Sequence, residues 1–291
     1  MPDAPADLAA LATLACVLEA SAPKPGNVAP GRPFRDMRYE DFVASAVAVG
    51  PPLGQAGQRP LGEVIHAAIA ATREWTAANT NLGIVLLLAP LAKAAALPRP
   101  LRAGVRVVLA QTTIGDAVEV YAAIGLAQPG GLGRAPAQDL AQRPSVTLLE
   151  AMRLAAERDG VAREYATAYE TTFTVGVPAL RRARGAGLDW EEAVVETFLA
   201  ILAHQPDTLI GRKLGAAVAT EVSAQAREVL AAGGTRDAAG RAALAAFDAG
   251  LRDAHNSRNP GTTADLTAAA LFAALVEDGW RTDPSRNDRA Q

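Results

Sequence analysis

The chain has 291 residues and a net charge of -3, room for a substantial core and no basic excess of the kind that nucleic acid or an anionic membrane attracts. Half of the residues are hydrophobic but only 4% are aromatic, so close packing of alanine-rich helices is the natural way to fill that core. A single cysteine, Cys16, excludes an internal disulfide and a cysteine-based zinc site.

Met1 to Asp7 carries Asp3 and Asp7 and no basic stretch, unlike a signal peptide. Leu8, Leu11, Leu14, Ala15 and Leu18 then follow helical spacing, and Cys16 among them reads as a buried thiol. A helix is expected near 39–49. The next carries one apolar stripe through Leu61, Val64, Ile65, Ala68, Ile69, Thr72 and Trp75. The helix expected over 81–97 is apolar almost all round from Ile84 to Leu91, which predicts a place at the centre of the bundle. Its apolar run stops at Lys93 and contains Pro90, too short to span a bilayer.

Gly104 to Thr113 is the only candidate strand and reads as loop or helix edge. Further helices are expected near 114–127, 163–174, 208–231, 238–255 and 264–278. Thr147 with Glu150 and Asp189 with Glu192 have the spacing of capping boxes at two more helix starts. Loops are expected at 22–33, 50–60, 98–104, 128–136 and 233–234, where Pro and Gly gather. The chain therefore reads as all-α: a single globular bundle of roughly ten helices around a central apolar helix. One domain over 1–291, with an ordered core at about 7–280, is expected, in a soluble, cytoplasmic protein.

The rare polar side chains are clustered. Lysine occurs only at 24, 93 and 213, and asparagine only at 27, 79, 81, 256, 259 and 287. Two of these lysines and five of these asparagines fall in Lys24-Pro25-Gly26-Asn27, Asn79-Thr80-Asn81, Asp207 to Lys213, and Asn256 to Asp265. Turn and cap chemistry explains any one cluster; four together point to one polar site. Asn79-Thr80-Asn81 precedes the apolar helix, whose free N–H groups and dipole suit a phosphate or carboxylate.

Lys24 supplies a compact charge beside a turn that Gly26 allows to approach closely. Arg35 and Asp36 follow in a short loop, and Asp207 precedes Arg212 and Lys213. Asn259 leads through Gly261 to Asp265, a carboxylate at the start of the last apolar helix. Carboxylates beside phosphate-seeking cations suggest a polyphosphate bridged by Mg²⁺, which takes one or two carboxylates plus phosphate oxygens. Helix caps and surface ion pairs are the alternative for Asp36, Asp207 and Asp265. Neither a glycine-rich triphosphate loop nor a dinucleotide fingerprint is present. Of the histidines, His66 reads as packing, His204 as a helix-end cation, and His255 as the candidate for proton transfer.

Taken in order, the clusters resemble the triphosphoribosyl-dephospho-coenzyme A synthases. Lys24-Pro25-Gly26, Arg35-Asp36-Met37, Asn79-Thr80 with Gly83, Asp207-Thr208 with Arg212, and Pro260-Gly261 with Ala264-Asp265 match that family's motifs, from about residue 10 to 278. The resemblance implies an enzyme that uses ATP and Mg²⁺. A hydroxyl of dephospho-coenzyme A would attack C1′ of the ATP ribose, and adenine would leave. Lys24, Arg35, Arg212 and Lys213 then fit a triphosphate clamp. Asp36, Asp207 and Asp265 fit catalysis, Asp207 and Asp265 also the metal. Asn27, Asn79, Thr80, Asn81 and Asn259 fit ribose or phosphate hydrogen bonds. The expected partners are ATP and a hydroxyl acceptor, with no nucleic acid or membrane; a homo-oligomer remains open.

Phe34 and Asn81 stand where the family carries histidines, Leu82 where it carries a base, and Leu209 where it carries an asparagine. The pattern is similar to a divergent branch with Lys-Pro-Gly-Asn and Asn-Thr-Asn-Leu-Gly motifs. Its relatives occur where tetrahydromethanopterin is made, so a phosphoribosyl acceptor of that type is an alternative. A ribosyl-phosphate hydrolase and a non-catalytic nucleotide-binding helical protein are the others.

Overall fold

In a computed structural model, described here over residues 7–128 and 138–280, the chain is all-α. The described residues contain no strand, only an isolated antiparallel bridge between Ala29 and Arg32. The first half carries α1 (Leu8–Ser21), α2 (Tyr39–Gly54), α3 (Leu61–Trp75), α4 (Leu82–Ala95), α5 (Leu101–Ala110) and α6 (Ile114–Ala127). Next come α7 (Leu148–Ala155), α8 (Gly160–Thr167), a π-helical turn (Thr172–Gly176), α9 (Val177–Gly185) and α10 (Trp190–His204). The last are α11 (Thr208–Leu214), α12 (Ala216–Ala231), α13 (Ala238–Leu251) and α14 (Gly261–Asp278).

Fourteen α-helices among the described residues exceed the ten expected, for identifiable reasons. The segment read as a candidate strand, Gly104 to Thr113, lies mostly in α5, where Leu101, Val105, Val108 and Leu109 form a buried face at helical spacing. The helix expected over 208–231 is two, because Gly215 adopts φ +92° between Leu214 and Ala216. The chain at 50–54, read as loop, continues α2 despite Pro51 and Pro52. A Cβ on Gly54 would stand 2.9 Å from Ala9 Cβ, so the absence of side chains there lets α2 lie directly on α1. Both expected capping boxes form: Asp189 Oδ1 accepts from Glu192 N at 2.8 Å, and Thr147 Oγ1 from Glu150 N at 3.3 Å. The α3 stripe is buried to Thr72, whereas Trp75 is exposed.

Two apolar helices, α4 and α14, pack together at the centre and are buried along almost their whole lengths. Pro90 sits inside α4 and has no N–H for the carbonyl of Leu86. The Tyr165 hydroxyl donates to that carbonyl at 2.6 Å, and the Tyr169 hydroxyl donates to Leu87 O at 2.8 Å. Both tyrosines are fully buried. The turn that carries them is held by Glu164, whose carboxylate accepts from the amides of Thr171 and Thr172 and the Thr172 hydroxyl. Cys16 is buried in α1, and burial pushes its thiol far above the usual range, as suits a structural residue. No single helix among the described residues is long and apolar enough to cross a membrane.

Candidate active site

The N-terminal ends of α4 and α14 open into a cavity of about 490 Å³, walled also by α1, α6, α7, α11 and the loop that follows α1. Nine of the twelve residues singled out from the sequence line it: Asn27, Asp36, Asn79, Thr80, Asn81, Arg212, Lys213, Asn259 and Asp265. Its volume falls in the range of small-molecule sites.

Asp265, in the second turn of α14, reaches the first turn of α4 where residue 83 is glycine. A Cβ on Gly83 would stand 2.5 Å from Asp265 Cγ. The Asp265 carboxyl has no hydrogen-bond partner among the described residues. Burial pushes it well above the usual carboxylate range, and the carboxylates of Glu19, Asp207 and Asp159 push further while Arg212 opposes them. At the start of α4, Asn79 Oδ1 accepts from Leu82 N at 3.3 Å. Asn81 Nδ2 donates to Thr72 Oγ1 at 3.0 Å, and the hydroxyls of Thr80 and Ser45 lie 2.5 Å apart.

The loop after α1 is fixed from α13. Asp248 Oδ1 accepts from Gly26 N at 2.8 Å, and Arg252 donates from Nη2 to Asn27 O at 2.8 Å. Gly26 takes φ +70° to make that turn. Across the cavity, Arg212 donates from Nη1 to Asp159 Oδ2 at 2.6 Å. Its Nε is buried without a partner, as is Asn259 Oδ1. Polar atoms left without partners inside a protein are costly, and both of these belong to residues that line the cavity.

Three sequence-derived site residues stand outside the lining. Asp207 is buried, and both carboxylate oxygens are already used. Oδ1 accepts from the amides of Leu209 and Ile210, and Oδ2 from the amide and hydroxyl of Thr263, both at 2.7 Å. It caps α11 and ties it to α14, so the group expected to serve catalysis and the metal stands outside the lining with both oxygens engaged in holding helices. Lys24 is not exposed to a phosphate. It is buried behind Glu19, with Nζ 2.9 Å from Oε1, and donates also to the carbonyls of Glu19 and Ala22. Arg35 is exposed and absent from the lining. His255, the proton-transfer candidate, is exposed and also lies outside it.

Sequence reasoning missed Glu19, Arg158 and Asp159, all of which line the cavity. Glu19 left a signal: it is the one charged residue in the α1 segment Leu8–Ser21 and it precedes Lys24-Pro25-Gly26-Asn27. Arg158 and Asp159 gave none, because an acid-base pair at a helix junction is ordinary. Together Arg158, Arg212 and Lys213 put three cations on the cavity. No group of three or more His, Cys, Asp or Glu among the described residues is placed to hold a metal ion by itself. The unpartnered Asp265 carboxyl fits Mg²⁺ of the kind that brings phosphate oxygens and waters as its other ligands.

Residues 5–284 match the family model CitG, ATP:dephospho-CoA triphosphoribosyl transferase. The chain belongs to this family. Relatives named as 2-(5''-triphosphoribosyl)-3'-dephosphocoenzyme-A synthases include one of Azotobacter vinelandii, 39% identical over 102 residues, or 35% of this chain and 34% of that protein. Another, of Klebsiella pneumoniae, is 35% identical over 117 residues, or 40% of this chain and 41% of that protein. The chain thus aligns with well under half the length of these curated relatives. A solved structure from Archaeoglobus fulgidus, described as a triphosphoribosyl-dephospho-coA synthase, has a TM-score of 0.63 and 28% identity, covering 82% of this chain and all of that one. In this CitG-family chain, four of the five motifs that carried the resemblance put residues on the cavity, whereas Lys24-Pro25-Gly26 lies outside its lining.

Proposed function

We propose that this protein transfers the triphosphoribosyl group of ATP to a hydroxyl acceptor and releases adenine, with dephospho-coenzyme A as the acceptor to test first. The observation that carries this reading is one cavity lined by Arg158, Arg212, Lys213 and Asp265 together with Asn27, Asn79, Asn81 and Asn259.

Arg212 and Lys213, with Arg158, hold the triphosphate, and Arg212 is set in place by its ion pair with Asp159. The asparagines hydrogen-bond the ribose and phosphates. The acceptor oxygen bonds to C1′ as the bond to adenine breaks, and carboxylates of the cavity stabilise the positive charge that grows at the sugar. Asp265 is the residue to hold Mg²⁺, which when bound supplies charge neutralisation on the phosphates. Asp36, at the exposed rim, is left for the acceptor side. The reading carries with it small-molecule substrates and a cytoplasmic setting, where ATP is at hand.

Phe34 and Asn81, which line the cavity where the family has histidines, favour a second version of the same chemistry with a different acceptor. The test is chromatographic detection of adenine from ATP and Mg²⁺ with a panel of hydroxyl acceptors. Adenine release dependent on dephospho-coenzyme A supports the first version. Release with another acceptor alone supports the second, and ATP binding without release under any acceptor removes both.

A further inference from the structure

The cavity holds a carboxylate that differs from the rest in how it is fixed. Glu19 is 3% exposed, yet it lines the cavity. Lys24, 1% exposed, stands behind it with Nζ 2.9 Å from Oε1, and two backbone carbonyls take the remaining ammonium protons. A buried lysine with those three acceptors has nothing left to offer a phosphate. Its effect is to hold the Glu19 side chain in one orientation, five residues away across the end of α1.

The other acids are placed differently: Asp139, also on the lining, accepts from Ala141 N at 3.0 Å. Asp159 caps α8 by accepting from Ala162 N at 3.0 Å and also holds Arg212. Asp207 is consumed by α11 and α14. Asp36 is exposed at the rim, and Asp265 has no cation bonded to it.

We infer that Glu19 is the proton acceptor of the transfer reaction and that Lys24 is its positioning residue, not a ligand of the phosphates. This rests on the proposed function. As the acceptor oxygen bonds to C1′, its proton passes to Glu19. The C1′–N9 bond breaks with its electron pair on adenine, which takes a proton from water, and Glu19 returns its proton to solvent. Proton transfer by a placed side chain contributes about 10²- to 10⁴-fold.

The test uses the full chain with ATP, Mg²⁺ and dephospho-coenzyme A, read by adenine release, with ATP affinity measured separately by calorimetry. Glu19→Gln is expected to lower kcat by about 100-fold or more with the KM for ATP changed by less than about threefold. Lys24→Met is expected to lower kcat similarly and leave ATP affinity within about threefold, whereas Lys213→Ala weakens it by about tenfold or more. Lys24→Met leaves a buried carboxylate unpaired, so the double variant Glu19→Gln/Lys24→Met covers a folding failure. It is expected to melt close to wild type, bind ATP normally, and be no slower than Glu19→Gln alone. The inference is overturned if Glu19→Gln keeps more than about a third of wild-type kcat, or if loss of Lys24 weakens ATP binding as Lys213→Ala does. If the wild-type protein releases no adenine, the functional reading fails first and takes this inference with it.

Discussion

The Asp265 carboxyl group occupies space that a side chain at residue 83 would need: a Cβ on Gly83 would stand 2.5 Å from Asp265 Cγ. The first turn of α4 and the second turn of α14 therefore meet through a carboxyl group and a glycine, and the cavity opens at that meeting. Gly83→Ala reads out this contact. In most helices that change stabilises by about 0.5–1 kcal/mol. Here it is expected to lower the melting temperature and cut adenine release by more than about tenfold, because the carboxyl must move. A variant that melts higher and keeps its activity would show that the contact is slack.

Asp265 itself gives a pH signature. Its folded pKa is raised by burial and neighbouring acids, so the folded protein keeps a proton that the unfolded chain has released. The stability from that proton is complete below the unfolded pKa of about 3.9 and is lost as pH rises toward the folded value. Asp265→Asn, neutral at every pH, is expected to melt above wild type at pH 8, with the gain shrinking toward pH 4. Thermal melts across that range check the sign. A gain that is flat with pH would contradict it.

How much of this was legible without coordinates depends on the kind of signal. The apolar run of α4 and the motif from Asn259 to Asp265 announced a central helix and a polar helix start, because burial on all sides and clustered amides leave marks in sequence. The role of Asp207 did not show. An aspartate before a helix can be a cap or a ligand, and only its four hydrogen-bond donors decide between them. The burial of Lys24 did not show for a similar reason. A lysine in a Pro-Gly turn reads as exposed charge, and its burial depends on Glu19 lying across the end of α1. Helix α5 was missed because Val-rich segments suit either period.

The tyrosine-proline arrangement in α4 is testable by a cycle. Tyr165→Phe removes the donor to Leu86 O and is expected to cost about 1–3 kcal/mol, the usual penalty for a buried unpaired polar group. In a Pro90→Ala background the helix regains an N–H at residue 90, and the same substitution is expected to cost measurably less. Urea unfolding of the four proteins gives the coupling. Equal costs in both backgrounds would mean that Tyr165 does not replace the missing N–H.

Asp207→Ala is expected to destabilise by on the order of 2–4 kcal/mol, since it removes a cap and the tie between α11 and α14 together. Because Arg212 and Lys213 ride on α11, ATP affinity is expected to fall with it. Asp207→Asn keeps one acceptor oxygen and separates the roles. Its ATP complex is expected to bind Mn²⁺ as tightly as wild type, read by electron paramagnetic resonance, whereas that of Asp265→Asn is not. Equal weakening in the two variants would return Asp207 to the metal.

The central claim is that this cavity transfers a ribosyl triphosphate, and the most direct measurement is adenine release from ATP and Mg²⁺ with and without dephospho-coenzyme A, followed chromatographically. Adenine is expected in amounts that match a triphosphoribosylated acceptor, and none without an acceptor. Adenine or phosphate released equally in the absence of any acceptor would contradict it and mark the protein as a hydrolase.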